Sequence, residues 1–294
     1  MVGVQTKNAL SGHLVALLTV LLWGTTFIST KILLVDFTPI EILMTRFLIG
    51  LIALFVIYPK FFKFTSWHEE GAFALAGLLG ICLYYLLENF ALTLTLASNI
   101  GVIVSISPFF IAMIGALLGR NHLTGKFLIG FVAAMAGIVL ISFNGTSGVH
   151  FNFWGDLMAV LAAMVWALYS YVVIYLNHLR YNPIQVTRRT FAYGLIFILP
   201  IFALTHSRIP LHTVLQATNL GNFLFLGLGA SAVCFLSWAY AVKTLGAVKT
   251  SVYIYLTPVI TVIFAALILH EAITPWIVVG ICLTISGLVI SQRA

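Results

Sequence analysis

The chain has 294 residues, of which 62% are hydrophobic and only 7% charged, with a formal net charge of +7. A soluble domain carries about 25% charged residues because its surface must face water, so this composition excludes a water-soluble globule. The basic residues are scattered, and no soluble domain carries them as a patch, which argues against a nucleic-acid partner.

Apolar windows read against turn signals predict ten spans, at 12–34, 41–58, 71–93, 97–118, 126–144, 154–176, 185–204, 220–242, 247–269 and 274–291. Lys7 before the first run imitates a signal peptide, but no small-residue cleavage site ends that run, so an uncleaved helix is expected. This first span is unusually polar: Trp23, Thr26 and Thr30 share a helical face, with Thr25 and Ser29 beside it. They line a hydrophilic path or bond back to their own helix. Pro39, Pro183 and Pro275 stand at span starts, where a missing N–H costs nothing. Arg46 lies a few residues inside the second span, and Arg188 and Arg189 near the start of the seventh. For Arg188 and Arg189, snorkelling toward headgroups is the preferred account. For Arg46, snorkelling and pairing with Glu88 or a substrate carboxylate weigh equally.

The third span carries Tyr84, Glu88 and Asn89. A carboxylate within the bilayer costs at least ~2–3 kcal/mol on insertion scales, so Glu88 should face the bundle interior. It suits a proton carrier or the partner of a cationic substrate group; the competing reading is a structural carboxyl bonded to Asn89 or an Arg. Pro108 and Pro258 lie about halfway along the fourth and ninth spans, as paired kinks that leave carbonyls for a central cavity or merely shape the bundle. Gly115 and Gly119 form a GxxxG, which says only that helices pack closely. Trp166 and Tyr169 in the sixth span, Trp238 in the eighth and Tyr253 and Tyr255 in the ninth complete the aromatic candidates, with Trp23 matching Trp166. Cys82, Cys234 and Cys282 read as buried thiols. Neither a cofactor nor a metal site is expected, since the eight histidines show no ligand spacing.

Two patterns organise these spans. Placing the N-terminus in the cytoplasm puts eleven of the 14 basic residues at cytoplasmic ends and leaves Lys31, Arg46 and Arg208 elsewhere. Both termini are then cytoplasmic. A shift of 150 residues aligns Ala91 with Ala241, Ala97 with Ala247, Pro108 with Pro258, Thr124 with Thr274, Gly130 with Gly280 and Gly137 with Gly287. A slightly smaller shift pairs Trp23 with Trp166 and Pro39 with Pro183. Because five helices is an odd number, the second unit enters from the opposite side, as in secondary transporters. The expected fold is all-α and integral to the membrane: ten transmembrane helices as two inverted five-helix repeats, 1–146 and 147–294.

The segments LLWGTTFISTK (21–31), TRFLIGLIAL (45–54), ENFALTLTLASNIGVIVSISPFF (88–110) and SVYIYLTPVITVIFAALILHEAITPWIVVGICLTISGLVI (251–290) resemble an EamA-type permease of the drug/metabolite transporter superfamily. The resemblance implies a site lined by helices 1, 3, 4, 6, 8 and 9. It also marks one departure: Glu271 ends the ninth helix as in the family, whereas Asn121 stands at the matching place in the fourth.

The expected function is therefore secondary transport, preferably export, of a small amphipathic or amino-acid-like metabolite by alternating access in the plasma (inner) membrane. The candidate substrate-binding residues are Trp23, Thr26, Tyr84, Glu88, Asn89, Trp166, Tyr169, Trp238 and Tyr255. Glu88 and Arg46 are the coupling pair, and Pro108 and Pro258 the hinges. A proton or counter-solute is the expected coupling partner, lipid the surroundings, and a homodimer is left open. Direct ATP use is not expected, because no GxxxxGK[ST] occurs. A non-transporting structural subunit and an intramembrane enzyme are the competing readings; the second lacks paired acids, a metal cluster or a nucleophile with a base.

Overall fold

A computed structural model of the chain describes residues 2–60, 64–119, 124–143, 152–179, 181–245, 250 and 252–292. Among them the structure is helical, without strands. Seven helical stretches are long and apolar enough to cross a membrane: 10–33, 39–57, 67–94, 97–117, 153–178, 183–204 and 217–245. Three shorter apolar helices occupy 125–141, 253–269 and 275–290. These ten stretches fall on the ten predicted windows. Lys63, Arg120, Asn121, Arg180, Ala247, Lys249 and Arg293, and the boundary expected at residue 146, lie outside the described residues.

The elements run α1 (Val2–Leu33), α2 (Pro39–Ile57), α3 (Trp67–Gly77), a π-helical stretch (Leu78–Leu83) and α4 (Tyr84–Leu94). After a break come α5 (Ala97–Val104), α6 (Ser107–Leu117) and α7 (Gly125–Phe143). The remainder comprises α8 (Phe153–His178), α9 (Pro183–Leu204), α10 (Leu211–Val214) and α11 (Ala217–Leu224). A second π-helical stretch (Phe225–Val233) leads into α12 (Cys234–Leu245), a 3-10 turn (Val252–Leu256), α13 (Thr257–Leu269) and α14 (Pro275–Gln292).

Local chemistry explains the boundaries. Thr38 caps α2 through a reciprocal box with Glu41, followed by Pro39 in the first turn, and Asn182 caps α9 ahead of Pro183. The predicted proline kinks take a different form. Pro108 lies in the first turn of α6 and Pro258 in the first turn of α13. Each follows a tightened stretch: Ser105 N–H donates to Val102 O and Ile106 N–H to Ile103 O, and residues 252–256 form the 3-10 turn. The fourth segment is thus two half-helices. A proline at a helix start forfeits no bond, whereas one in a helix interior would.

Among the described residues, glycines bring helix backbones together at three crossings. At the first, Gly77 of α3 meets Gly194 of α9, where an added Cβ would lie 2.6 Å from the Gly194 nitrogen. At the second, Gly50 of α2 meets the carbonyl of Gly227 in the second π stretch. At the third, Gly137 of α7 abuts the Gly280 carbonyl of α14 while Gly287 of α14 abuts the Gly130 carbonyl of α7. Small residues let backbones approach where lipid supplies no hydrophobic drive for association. Large apolar side chains such as Val56, Leu117, Val132 and Leu267 stay exposed around the outside, as a lipid solvent permits.

Charged side chains tie helix ends to one another. Arg188, only 5% exposed, donates to the Tyr58 carbonyl at 2.6 Å and the Lys60 carbonyl at 2.5 Å, and stacks over Phe55. Arg189 pairs with Glu70, which also accepts from the Tyr193 hydroxyl. Snorkelling is therefore the wrong account of Arg188 and Arg189: both guanidinium groups turn into protein, where carbonyls left over at the end of α2 and a carboxylate on α3 need donors. Nearby, the Tyr181 hydroxyl donates to Glu69 at 2.5 Å, and that bond holds its pKa above the ordinary tyrosine value.

Candidate functional site

One cavity lies at the level of the two breaks in the helices. It is lined by Trp23, Thr26 and Phe27 of α1, Tyr84, Tyr85 and Glu88 of α4, Val104, Ser105 and Ser107 at the α5–α6 break, Trp166 of α8, and Ile254 and Thr257 at the 3-10 turn. Its volume is about 60 Å³, room for a few water molecules. Five of the predicted residues meet here: Trp23, Thr26, Tyr84, Glu88 and Trp166.

The walls are mainly aromatic. Trp23 and Trp166 meet edge to face with centroids 6.1 Å apart, and Trp166 lies 4.9 Å from Tyr84. Tyr84 in turn packs 4.7 Å from Tyr85. The second π stretch contributes indirectly, since its Ala230 carbonyl accepts from the Trp23 indole nitrogen at 3.1 Å. A π turn shifts side-chain register and leaves carbonyls off the regular ladder, so an indole N–H buried in apolar surroundings finds a partner there.

Glu88 supplies the ionisable group. It is 1% exposed, and its Oε1 has no hydrogen-bond partner. Tyr84, one turn before it, lines the same cavity, and Arg46 lies on α2. Arg46 is wholly buried and does not form a direct ion pair with Glu88. Its Nε and Nη2 donate to the Ser231 hydroxyl at 3.3 and 3.2 Å, its plane lies 4.5 Å from the Tyr85 ring centroid, and Nη1 is without a partner. Arg46 thus stands one layer behind the cavity, with Tyr85 between.

The other predicted residues stand outside the lining. Asn89 turns away and donates to the Pro39 carbonyl at 3.4 Å. Tyr169 packs behind Trp166 at 5.2 Å, and Trp238 packs on Trp23 at 5.1 Å. Tyr255 is buried within the 3-10 turn. Thr26 faces the cavity while its hydroxyl donates to the Trp23 carbonyl at 2.7 Å, which is the back-bonding alternative. Sequence reasoning missed Tyr85, Ser105, Ser107 and Thr257. For the last three, Pro108 and Pro258 were the available signal, because the residues just before each proline form the cavity edge.

A sequence profile described as the EamA-like transporter family matches residues 10–143 and again 153–292. The chain belongs to the EamA-like transporter family. The resemblance read from its motifs is thereby borne out, and this EamA-like chain is a multi-pass membrane protein of a transporter family rather than of an enzyme family. It is 28% identical over 279 residues to an "Uncharacterized transporter" of Archaeoglobus fulgidus, covering 94% of this chain and 95% of that one. It is 25% identical to a "Probable terminal-alkyne amino-acid exporter" of Streptantibioticus cattleyicolor, covering 94% and 91%. A solved crystal structure shares the fold with a TM-score of 0.67 over 95% of both chains, at 18% identity. Transport of a small solute is what membership implies.

Proposed function

We propose that this EamA-like transporter moves a small metabolite bearing an ammonium group, by alternating access around the cavity between α1, α4, α8 and the two helix breaks. The observation that carries the reading is Glu88, a buried carboxylate with an unpartnered oxygen at the wall of a cavity that also holds Trp23, Tyr84, Tyr85 and Trp166. Aromatic faces attract a cation, most strongly when desolvated, and a carboxylate completes the match. The amino-acid exporter named among the relatives fits that solute class. A metabolite needs a pocket of about 300–1,000 Å³, so binding requires the half-helices α5–α6 and the 3-10 turn with α13 to separate, hinged at Pro108 and Pro258. A proton or counter-solute at Glu88, with Arg46 positioned behind Tyr85, would couple the cycle.

Ten transmembrane helices in two inverted units, 1–146 and 147–294, are the architecture we assign to this movement. Its support is the reciprocity of contacts: the α7–α14 crossing brings Gly137 to Gly280 and Gly130 to Gly287, residues paired by the 150-residue shift. Residue i meeting j while the equivalent of j meets the equivalent of i is the mark of a two-fold relation. The Gly77–Gly194 and Gly50–Gly227 crossings obey the same exchange, and both π stretches and both prolines recur at matching places. The separate family matches to 10–143 and 153–292 agree with two units. With charge bias orienting them, both termini are cytoplasmic in the inner membrane and α1 ends at the outer face.

The test is uptake into proteoliposomes of a panel of amino acids and amines, matched with neutral analogues lacking the ammonium group. Glu88→Gln is expected to lower transport of ammonium solutes by about 100-fold, since it removes the buried countercharge, and Glu88→Asp to retain part of it. Full activity in a correctly folded Glu88→Gln protein would overturn the reading.

A further inference from the structure

The break between α4 and α5 is held by two charges that come from elsewhere in the chain. The N-cap residue of α5 is Leu96, which offers no side-chain acceptor. Instead Glu271, 174 residues away, accepts from the Ala97 N–H at 3.0 Å, the Ser98 N–H at 3.2 Å and the Ser98 hydroxyl at 2.6 Å. On the other side of the break, the Lys31 ammonium at the end of α1 donates to the Leu92 carbonyl and, at 2.9 Å, to the Thr95 carbonyl. Lys31 and Glu271 thus hold the two sides of the same break. Four segments therefore meet at one point: the ends of α1, α4 and α13 and the start of α5.

The approach of Glu271 is built into the backbone. His270 adopts a left-handed conformation with φ 56°, uncommon for a residue with a Cβ, and the turn it makes lets the Glu271 N–H bond back to Ala265. The carboxylate thus leaves the end of α13 and reaches α5. Below it, Gly101 of α5 seats against Thr261 of α13, whose hydroxyl donates to the Gly24 carbonyl at 2.8 Å. Among the described residues at the opposite end, α6 packs on α8 and the 3-10 turn on α1. A helix start in a membrane needs some acceptor, but a local Ser or Asp would serve. An acceptor borrowed from a distant segment makes the cap conditional on α5 and α13 being together.

We infer that Glu271, supported by Lys31, is a positioning residue for transport: a releasable latch that closes the pathway at its own end and breaks when the cavity opens there. The inference rests on the transport reading above. It is tested by the accessibility of Ser105→Cys, at the cavity edge, to a membrane-impermeant maleimide. The variant carries serine at Cys82, Cys234 and Cys282 and is assayed in membrane vesicles of both orientations. Val35→Cys, exposed beside the same end, identifies the face that carries Glu271.

Glu271→Gln is expected to raise Ser105→Cys labelling from that face about 10-fold and lower it from the other, because weaker bonds shift the population toward opening there. Lys31→Met should move both rates in the same direction, and Glu271→Asp should stay near the parent. Unchanged labelling from both faces, in protein that is monodisperse, would reduce Glu271 to a structural cap and overturn the latch. If Glu271→Gln fails to fold, Ser98→Ala, which loses only the hydroxyl bond, gives the same reading. Labelling from neither face in any variant would overturn the cavity reading on which the latch depends.

Discussion

The two ends of the bundle use charge differently. At one, Arg188 and Arg189 bind the end of α2 and the start of α3 to α9, helices that stand behind the cavity rather than around it. At the other, Glu271 and Lys31 bind the starts and ends of α1, α4, α5 and α13, which carry or adjoin lining residues. A guanidinium spanning two carbonyls with a ring beneath it is a fixed joint, since its release would strand several buried polar groups at once. A carboxylate holding a helix start is more readily exchanged, because water can replace it as soon as the segments part. The first arrangement builds a scaffold, and the second sits where a pathway would have to open.

That contrast can be broken in graded steps. After the Glu88→Gln and Glu271→Gln outcomes above, the next largest effect expected is from Arg188→Ala. It removes two charge-assisted bonds of about 1.5–3 kcal/mol each, so folded yield and Tm should fall markedly. The sidedness of Ser105→Cys labelling should nevertheless stay as in the parent. A changed sidedness would erase the distinction between scaffold and latch. Trp166→Leu probes the cavity wall alone: loss of one aromatic face is worth up to ~2 kcal/mol for a desolvated cation, predicting at most about a 30-fold rise in apparent KM for ammonium solutes at near-normal stability. Asn89→Ala is the smallest. Its single bond to the Pro39 carbonyl is long, at 3.4 Å, so transport should change by less than about 2-fold and stability by less than ~1 kcal/mol. A large transport defect there would return Asn89 to the site.

Glu88 and Asn89 also show how far sequence reading reached. Both are polar neighbours within an apolar span, and both were expected at a site. They are about 100° apart around a helix, and the phase of α4 turns Glu88 to the cavity and Asn89 to the Pro39 carbonyl. Hydropathy periodicity assumes an unbroken 3.6-residue repeat and cannot supply that phase. Arg46 is likewise legible as a charge in an apolar helix. Its actual partner, Ser231, lies 185 residues away in the second π stretch, and no local pattern names it. Arg188 was misread because a basic residue at a helix end satisfies the charge bias whether it points to lipid headgroups or inward.

The sequence by itself determined that this is an all-helical, lipid-solvated chain. It also determined where its apolar segments run, which positions recur after 150 residues, and which family it belongs to. Those properties are local: in a bilayer each segment must satisfy its own backbone hydrogen bonds, so hydropathy and length nearly specify the element. Only the tertiary structure decided that Trp23, Tyr84, Glu88 and Trp166 share one cavity, that Pro108 and Pro258 begin half-helices instead of kinking whole ones, and that Glu271 caps a helix start 174 residues away. Those outcomes depend on helix phase and on which buried polar groups meet across crossings, and neither is written in the neighbourhood of any single residue.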